Sequence, residues 1–215
     1  MLLKENIDSA NTGLDAIKKA PIVNENTGIK CLRIGDISNK KTYKDWGNTK
    51  VSKENYNKFK LTKGDILIAR TGNTIGCNLY INNDYNAVFN NGLIRLKINS
   101  SIADSKFIYY ILQQKKYMDY INGIAFGTST QPNMKINDLL QFELPSFSLK
   151  IQKKIAKILS DVDEKIELNN KINDNLTIFL LIIILFSLHQ FLHSLTLVIS
   201  NFLNLLVFHL LFDYF

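Results

Sequence analysis

Histidine is missing from the first 188 residues; all three stand in the last 27, at 189, 193 and 209. Ordinary histidine acid–base catalysis is therefore excluded from everything upstream. Cysteine is nearly as scarce. Cys31 and Cys77 lie 46 positions apart, with no CxxC and no Cys/His cluster near either. That spacing argues against a disulfide framework or a zinc site, and both read as small apolar residues in a reducing compartment. The three prolines (Pro21, Pro132, Pro145) are never adjacent, so the Asn/Asp-Pro-Pro-aromatic motif of an amino-methyltransferase is absent. No Gly-x-x-x-x-Gly-Lys-Ser/Thr loop occurs, which excludes P-loop nucleotide chemistry. No compact carboxylate–lysine cluster stands out as a nuclease centre. No catalytic residue, metal ligand or cofactor is expected. The opening Met-Leu-Leu-Lys-Glu-Asn lacks an apolar signal core, so a cytoplasmic location is expected.

Charge is distributed unevenly. All 26 Lys and Arg fall at or before Lys171, and all but one of the 19 Asp and Glu at or before Asp174, leaving residues 1–176 at a net +8. A basic body of this kind attracts nucleic acid or an anionic membrane surface, although solubility alone also accounts for such an excess.

Three textures follow one another. Residues 1–146 mix short apolar runs with turn residues and read as one α+β domain. Strands are expected at 29–37 (IKCLRIGDI), 65–70 (DILIAR) and 93–98 (LIRLKI), the last with the period of two of a half-buried strand. Glycines 72, 76, 92, 123 and 127 are expected to mark loops or bulges. One helix is expected over Ser105–Ile121, where Phe107, Ile111, Gln114, Met118 and Ile121 recur at helical spacing. Asp104 or Ser105 is positioned to cap it. Its aromatic residues Phe107, Tyr110 and Tyr117 read as packing and not as a base-stacking platform.

Residues 147–176 contain no Pro or Gly. A heptad places Ile151, Ile155, Ile158, Val162, Lys165, Asn169, Ile172 and Leu176 at alternating core positions, widened by Leu159 and Ile166. The expectation is a coiled-coil helix seeking a partner, with Asn169 fixing register. An amphipathic helix folded onto its own domain is the competing reading.

Residues 177–215 differ in kind. From Asn175 to Phe212 no side chain carries a formal charge, and one or even two membrane passes fit by length. The lysine-rich body would then stay on the cytoplasmic side. An out-of-frame read through AT-rich DNA yields the same composition, and the abrupt loss of lysine favours that origin. His189 and His193, four apart, read as incidental.

The junction of the first two textures carries a motif. Pro145, then Gln152, Ile155, Ala156 and Leu159, then Asp163 and Ile166 stand in the order Pro…Gln-x-x-Ile-Ala-x-x-Leu…Asp-x-x-Ile. This resembles the signature segment of DNA specificity subunits of type I restriction-modification systems. Upstream, Lys63-Gly-Asp-Ile-Leu-Ile-Ala-Arg-Thr-Gly-Asn-Thr-Ile-Gly is similar to the family's Gly-Asp-apolar-Gly-x-x-x-Gly element, and Gly127-Thr-Ser-Thr-Gln-Pro-Asn to its Gly-Ser/Thr-Thr-x-x-x-Asn loop. The resemblance covers roughly residues 25–176. It departs from the family in having one recognition domain and one such helix, a half-length form.

The resemblance implies a non-catalytic subunit that reads half of a split target on double-stranded DNA. Its helix would set the spacing between halves and bind methyltransferase subunits, and through them restriction subunits. Self-association through that helix would give a two-fold assembly reading a symmetric site. Arg to guanine and Asn or Gln to adenine are the expected base contacts. The candidates are Arg70, Asn73, Gln131, Asn133 and Lys135, then Thr71, Thr128, Ser129 and Thr130. Lys40, Lys41 and Lys44 are candidates for phosphate. The rival expectations are a membrane-anchored cytoplasmic interaction protein and an inactive truncated specificity module.

Overall fold

The computed structural model describes residues 1–125 and 133–212, the side chains of 204–212 excepted. By its internal contacts the chain divides into two units, Met1–Ile158 and the part beginning at Leu159. In chain order the first unit carries β1 (Ile7–Thr12), β2 (Ile22–Val23), β3 (Lys30–Leu32), α1 (Ile34–Ser38) and β4 (Gly47–Thr49). Next come α2 (Lys53–Phe59), β5 (Ile66–Ala69), β6 (Asn78–Tyr80), β7 (Ala87–Phe89) and β8 (Leu93–Ile98). Helices α3 (Ser105–Ile111), α4 (Lys115–Ala125), α5 (Ile136–Leu139) and α6 (Leu149–Phe212) complete the α+β chain.

Two four-stranded sheets form, ordered β1-β8-β5-β6 and β2-β4-β3-β7. All pairings are antiparallel except β3 with β7. The first sheet is covered on both faces, and the period of two of its strands decides which residue goes where. Ile66, Ile68, Ile94 and Leu96 pack with Phe107, Ile108, Tyr117 and Ile121 of α3 and α4. The alternate residues Leu67, Ala69 and Leu93 pack with Leu32 and Phe89 of the second sheet and with Trp46, just before β4.

Strand β8 is therefore more buried than its alternation predicts. Arg95, on the face expected to be wet, is only 5% exposed. It is tolerated because every polar edge of the guanidinium is met. Nε and Nη2 donate to Asn11 Oδ1, and Nη1 and Nη2 donate to the carbonyls of Lys60 and Lys58. Asp65 lies 3.7 Å away and the Phe89 ring 5.0 Å below. Lys97 reaches the same carboxylate at 3.2 Å.

Three expectations change. The strand expected over 29–37 stops at Leu32, because Asp36 Oδ2 accepts the Arg33 N–H at 2.9 Å and caps α1 instead. The helix expected over 105–121 is two, α3 and α4, separated at Leu112–Gln114. Gly123, read as a loop marker, lies inside α4. Gly127 falls outside the described residues. Phe107 and Tyr117 are buried in the core, as packing requires.

The ends of the first unit are tied together. The Leu3 N–H donates to the Phe142 carbonyl at 2.9 Å, and the Leu144 N–H to the Met1 carbonyl at 2.8 Å.

Helix α6 runs without a break from Leu149 to Phe212, so no turn divides the apolar run into two passes. Gln152 and Ala156, on its first turns, are buried in the first unit, and Ile155 packs against that unit's core. The contact boundary between the two units falls at Ile158. Beyond it, Val162, Ile166, Asn169, Ile172 and Leu176 are exposed. From Ile178 to Phe186 nine consecutive apolar side chains are exposed around the whole helix circumference. By length and composition α6 is apolar enough to cross a membrane.

Candidate nucleic-acid interface

Strand β5 ends at Ala69, and the chain then makes a tight loop back into β6. The Gly76 N–H donates to the Ala69 carbonyl and the Ala69 N–H to the Cys77 carbonyl, both at 2.8 Å. Gly72 and Gly76 sit at φ +78° and +85°, a region that glycine enters without strain. Ile75, 3% exposed, anchors the loop in the core beside α4, while Asn73 at the tip is exposed. An apolar anchor under a polar tip holds the loop in one shape.

Arg70 begins this loop and is clamped at both backbone groups. Its N–H donates to the Gly92 carbonyl at 3.0 Å, and its carbonyl accepts the Met134 N–H at 2.8 Å. Thr71 and Asn133 form an antiparallel bridge. The side chains meet as well, Arg70 Nη2 donating to Asn133 Oδ1 at 3.0 Å. Arg70 Nε is shielded from solvent and has no acceptor among the described residues. Two loops more than sixty residues apart thus share one short ladder. Met134, 1% exposed, pins the second loop down, and Lys135 beside it is exposed at the start of α5.

The lysine turn after α1 approaches from another side. Lys40, exposed and at φ 51°, lines a cleft of about 540 Å³ together with Lys41, Gly76, Cys77, Asn78 and Gln113. Lys41 is paired with buried Asp36 at 3.2 Å and keeps 44% of its side chain in solvent. Lys44 is exposed but does not line this cleft. Asn78 and Gln113, joined by a side-chain hydrogen bond, were not singled out from sequence. No motif marks them, since they meet only when α3 packs beside β6.

Of the expected base-contacting residues, the fold brings Arg70, Thr71 and Asn133 together and leaves Asn73 and Lys135 exposed on the same two loops. Thr128, Ser129, Thr130 and Gln131 lie outside the described residues. Arg95 is committed to Asp65 within the fold, while Lys97, paired with the same carboxylate, keeps 37% of its side chain in solvent. Among the described residues no group of His, Cys, Asp and Glu is placed to hold a metal ion.

Cys31 is buried, and burial pushes its thiol up to about 11. It is a packing residue, with Leu14, Ala20 and Val88 around it. Burial also pushes the Tyr117 phenol well above its ordinary range.

Comparison with known proteins gives a consistent result. Residues 8–177 match the family described as type I restriction modification DNA specificity domain. The chain is 28% identical over 152 residues to the type I restriction enzyme MjaVIII specificity subunit of Methanocaldococcus jannaschii, covering 67% of this chain and 35% of that protein. It is 32% identical over 120 residues to the HindI specificity subunit of Haemophilus influenzae, covering 54% of this chain and 26% of that protein. The crystal structure of a type I restriction-modification S subunit from M. genitalium superposes with a TM-score of 0.55 at 25% identity, over 78% of this chain and 39% of that one. The chain thus spans about a third of the length of the relatives it matches.

Proposed function

Because the chain belongs to the type I restriction modification DNA specificity domain family, we propose that its first unit recognises double-stranded DNA and directs a methyltransferase to a defined sequence. The observation that carries this reading is the meeting of Arg70 and Thr71 with Asn133 on two loops whose sequences carry the family's glycine motifs. Affinity would come from exposed lysines on phosphate, Lys40, Lys41, Lys44 and Lys135 foremost, and fall with salt. Specificity would come from Arg70, Thr71, Asn73 and Asn133, together with Thr128, Ser129, Thr130 and Gln131. The chain itself would catalyse nothing.

The exposed stripe of α6 supports a second role. Ile158, Val162, Ile166, Asn169, Ile172 and Leu176 offer a seam for another helix, from a second copy, another specificity half or the methyltransferase. Ile151 extends the seam into the first unit, and Ile155 sits between seam and core. Pairing of two copies would present two recognition units and read a split, symmetric target in the cytoplasm. Restriction subunits would join through the methyltransferase.

The test is the host's genome-wide DNA methylation with the gene present and deleted. Loss of a methylated split motif on deletion is expected. An unchanged pattern would overturn the proposal.

A further inference from the structure

We infer that Arg70 and Asn133 act as one composite, donor-rich reading head for a guanine edge in the major groove. The inference rests on the DNA-recognition reading above and assigns the chemistry of one position within it. An asparagine acting alone presents one acceptor and one donor group, the complement of adenine's N6 amino group and N7. Asn133 does not act alone. Arginine has only donors, so the 3.0 Å contact from Arg70 Nη2 fixes which end of the amide faces it and engages Oδ1. Asn133 Nδ2 has no partner among the described residues, and the guanidinium keeps N–H groups beyond the one it gives to Asn133. What the couple has left to offer is mainly donors: Asn133 Nδ2 and the remaining guanidinium N–H groups, against one lone pair on Oδ1.

Each base edge then has a different fate. Guanine presents two acceptors, O6 and N7, and satisfies a donor pair. Adenine would set its N6 amino group against a further donor, and cytosine offers only a donor there. Thymine supplies one acceptor beside a methyl group. The couple is also held in place before any ligand arrives. Backbone bonds fix Arg70 on both sides, the Thr71–Asn133 bridge fixes its partner, and burial of Nε restricts the guanidinium. A guanidinium already oriented loses little freedom on binding. The shielded Nε, a charged group's donor left without an acceptor among the described residues, is a cost the fold bears here.

A phosphate would also satisfy donors, and the experiment separates the two ligands. The full chain and its Asn133→Asp and Arg70→Lys variants are expressed at matched soluble levels in the deletion host, and methylation is mapped genome-wide. Asn133→Asp keeps an acceptor for Arg70 but replaces the amide donors with a carboxylate oxygen. Arg70→Lys keeps the charge and removes the planar fork. The expected result is a wild-type motif containing a guanine whose preference over other bases falls about tenfold in both variants, with the remaining specified positions unchanged. An unchanged motif in both variants would overturn the inference. So would a uniform fall at all sites, which is the signature of a phosphate contact. A wild-type chain that produces no methylated motif overturns the underlying DNA-recognition reading itself, an outcome distinct from the other two.

Discussion

Gln152 Oε1 accepts the backbone N–H of Asp104 at 3.0 Å, across 48 residues of chain. The same amide donates through Nε2 to the Phe147 carbonyl at 2.9 Å. Asp104 in turn caps α3 through the Phe107 N–H. The glutamine of the Gln-x-x-Ile-Ala motif thus fastens the start of α6 to the start of α3.

Gln152→Ala removes both bonds at a site 1% exposed and leaves the partly buried Asp104 N–H and Phe147 carbonyl without this partner. A loss of about 1–3 kcal/mol is expected by urea unfolding, at unchanged slope. A change within experimental error would show that water replaces the amide.

Arg95 and Asp65 predict a graded response. Arg95→Ala leaves a cavity and a less compensated buried carboxylate, at a cost of about 3–5 kcal/mol. Arg95→Met keeps much of the volume over Phe89 and is expected to cost less. Denaturant midpoints should rank wild type above the Met variant and that above the Ala variant; a Met variant as unstable as the Ala variant would assign the effect to charge alone.

Alkaline pH should weaken the fold through Cys31. Its thiol is raised from 9.0 to about 11 in the folded state, so the folded chain holds a proton that the unfolded chain releases. The contribution is intact below pH 9 and declines as pH rises towards 11, by about 1.4 kcal/mol per pH unit over that window. Tyr117 acts in the same sense at higher pH. Cys31→Ala should flatten the decline between pH 9 and 11. An identical slope in the variant would remove Cys31 from the account.

A chain ending at Leu176 is expected to keep the first unit's stability, with Tm within about 2 °C of the full chain's. It should also elute without the aggregates that nine exposed consecutive apolar residues invite. A truncated chain that is insoluble would mean that the apolar segment supports the fold.

Parts of this architecture were legible in sequence because they are local. Period-two alternation gave β8, the apolar run DILIAR gave β5, and Gly72 and Gly76 marked the loop. The Asp36 cap was legible too, but the apolar run around it outweighed one carboxylate. Burial of Arg95 was not, since a charge reads as solvent-facing until the second sheet covers that face. The contact between Arg70 and Asn133 was out of reach for the same reason. Residue types and motif order nominated both positions, but only tertiary packing of β5, β8 and the loop before α5 brings them within 3.0 Å.

The pairing of β1 with β8 sets a timetable for synthesis. Ile7 pairs with Ile98, so the first strand leaves the ribosome long before its partner exists. At elongation rates of about 5–20 residues per second that interval is on the order of 5–20 s. The wait lengthens for Met1 and Leu3, whose partners Leu144 and Phe142 emerge later still. For that interval the nascent chain carries an unpaired strand edge, open to any other extended segment nearby. Slow codons placed between 12 and 93 would prolong that exposure, and a chaperone that binds extended segments would have a target at residues 7–12.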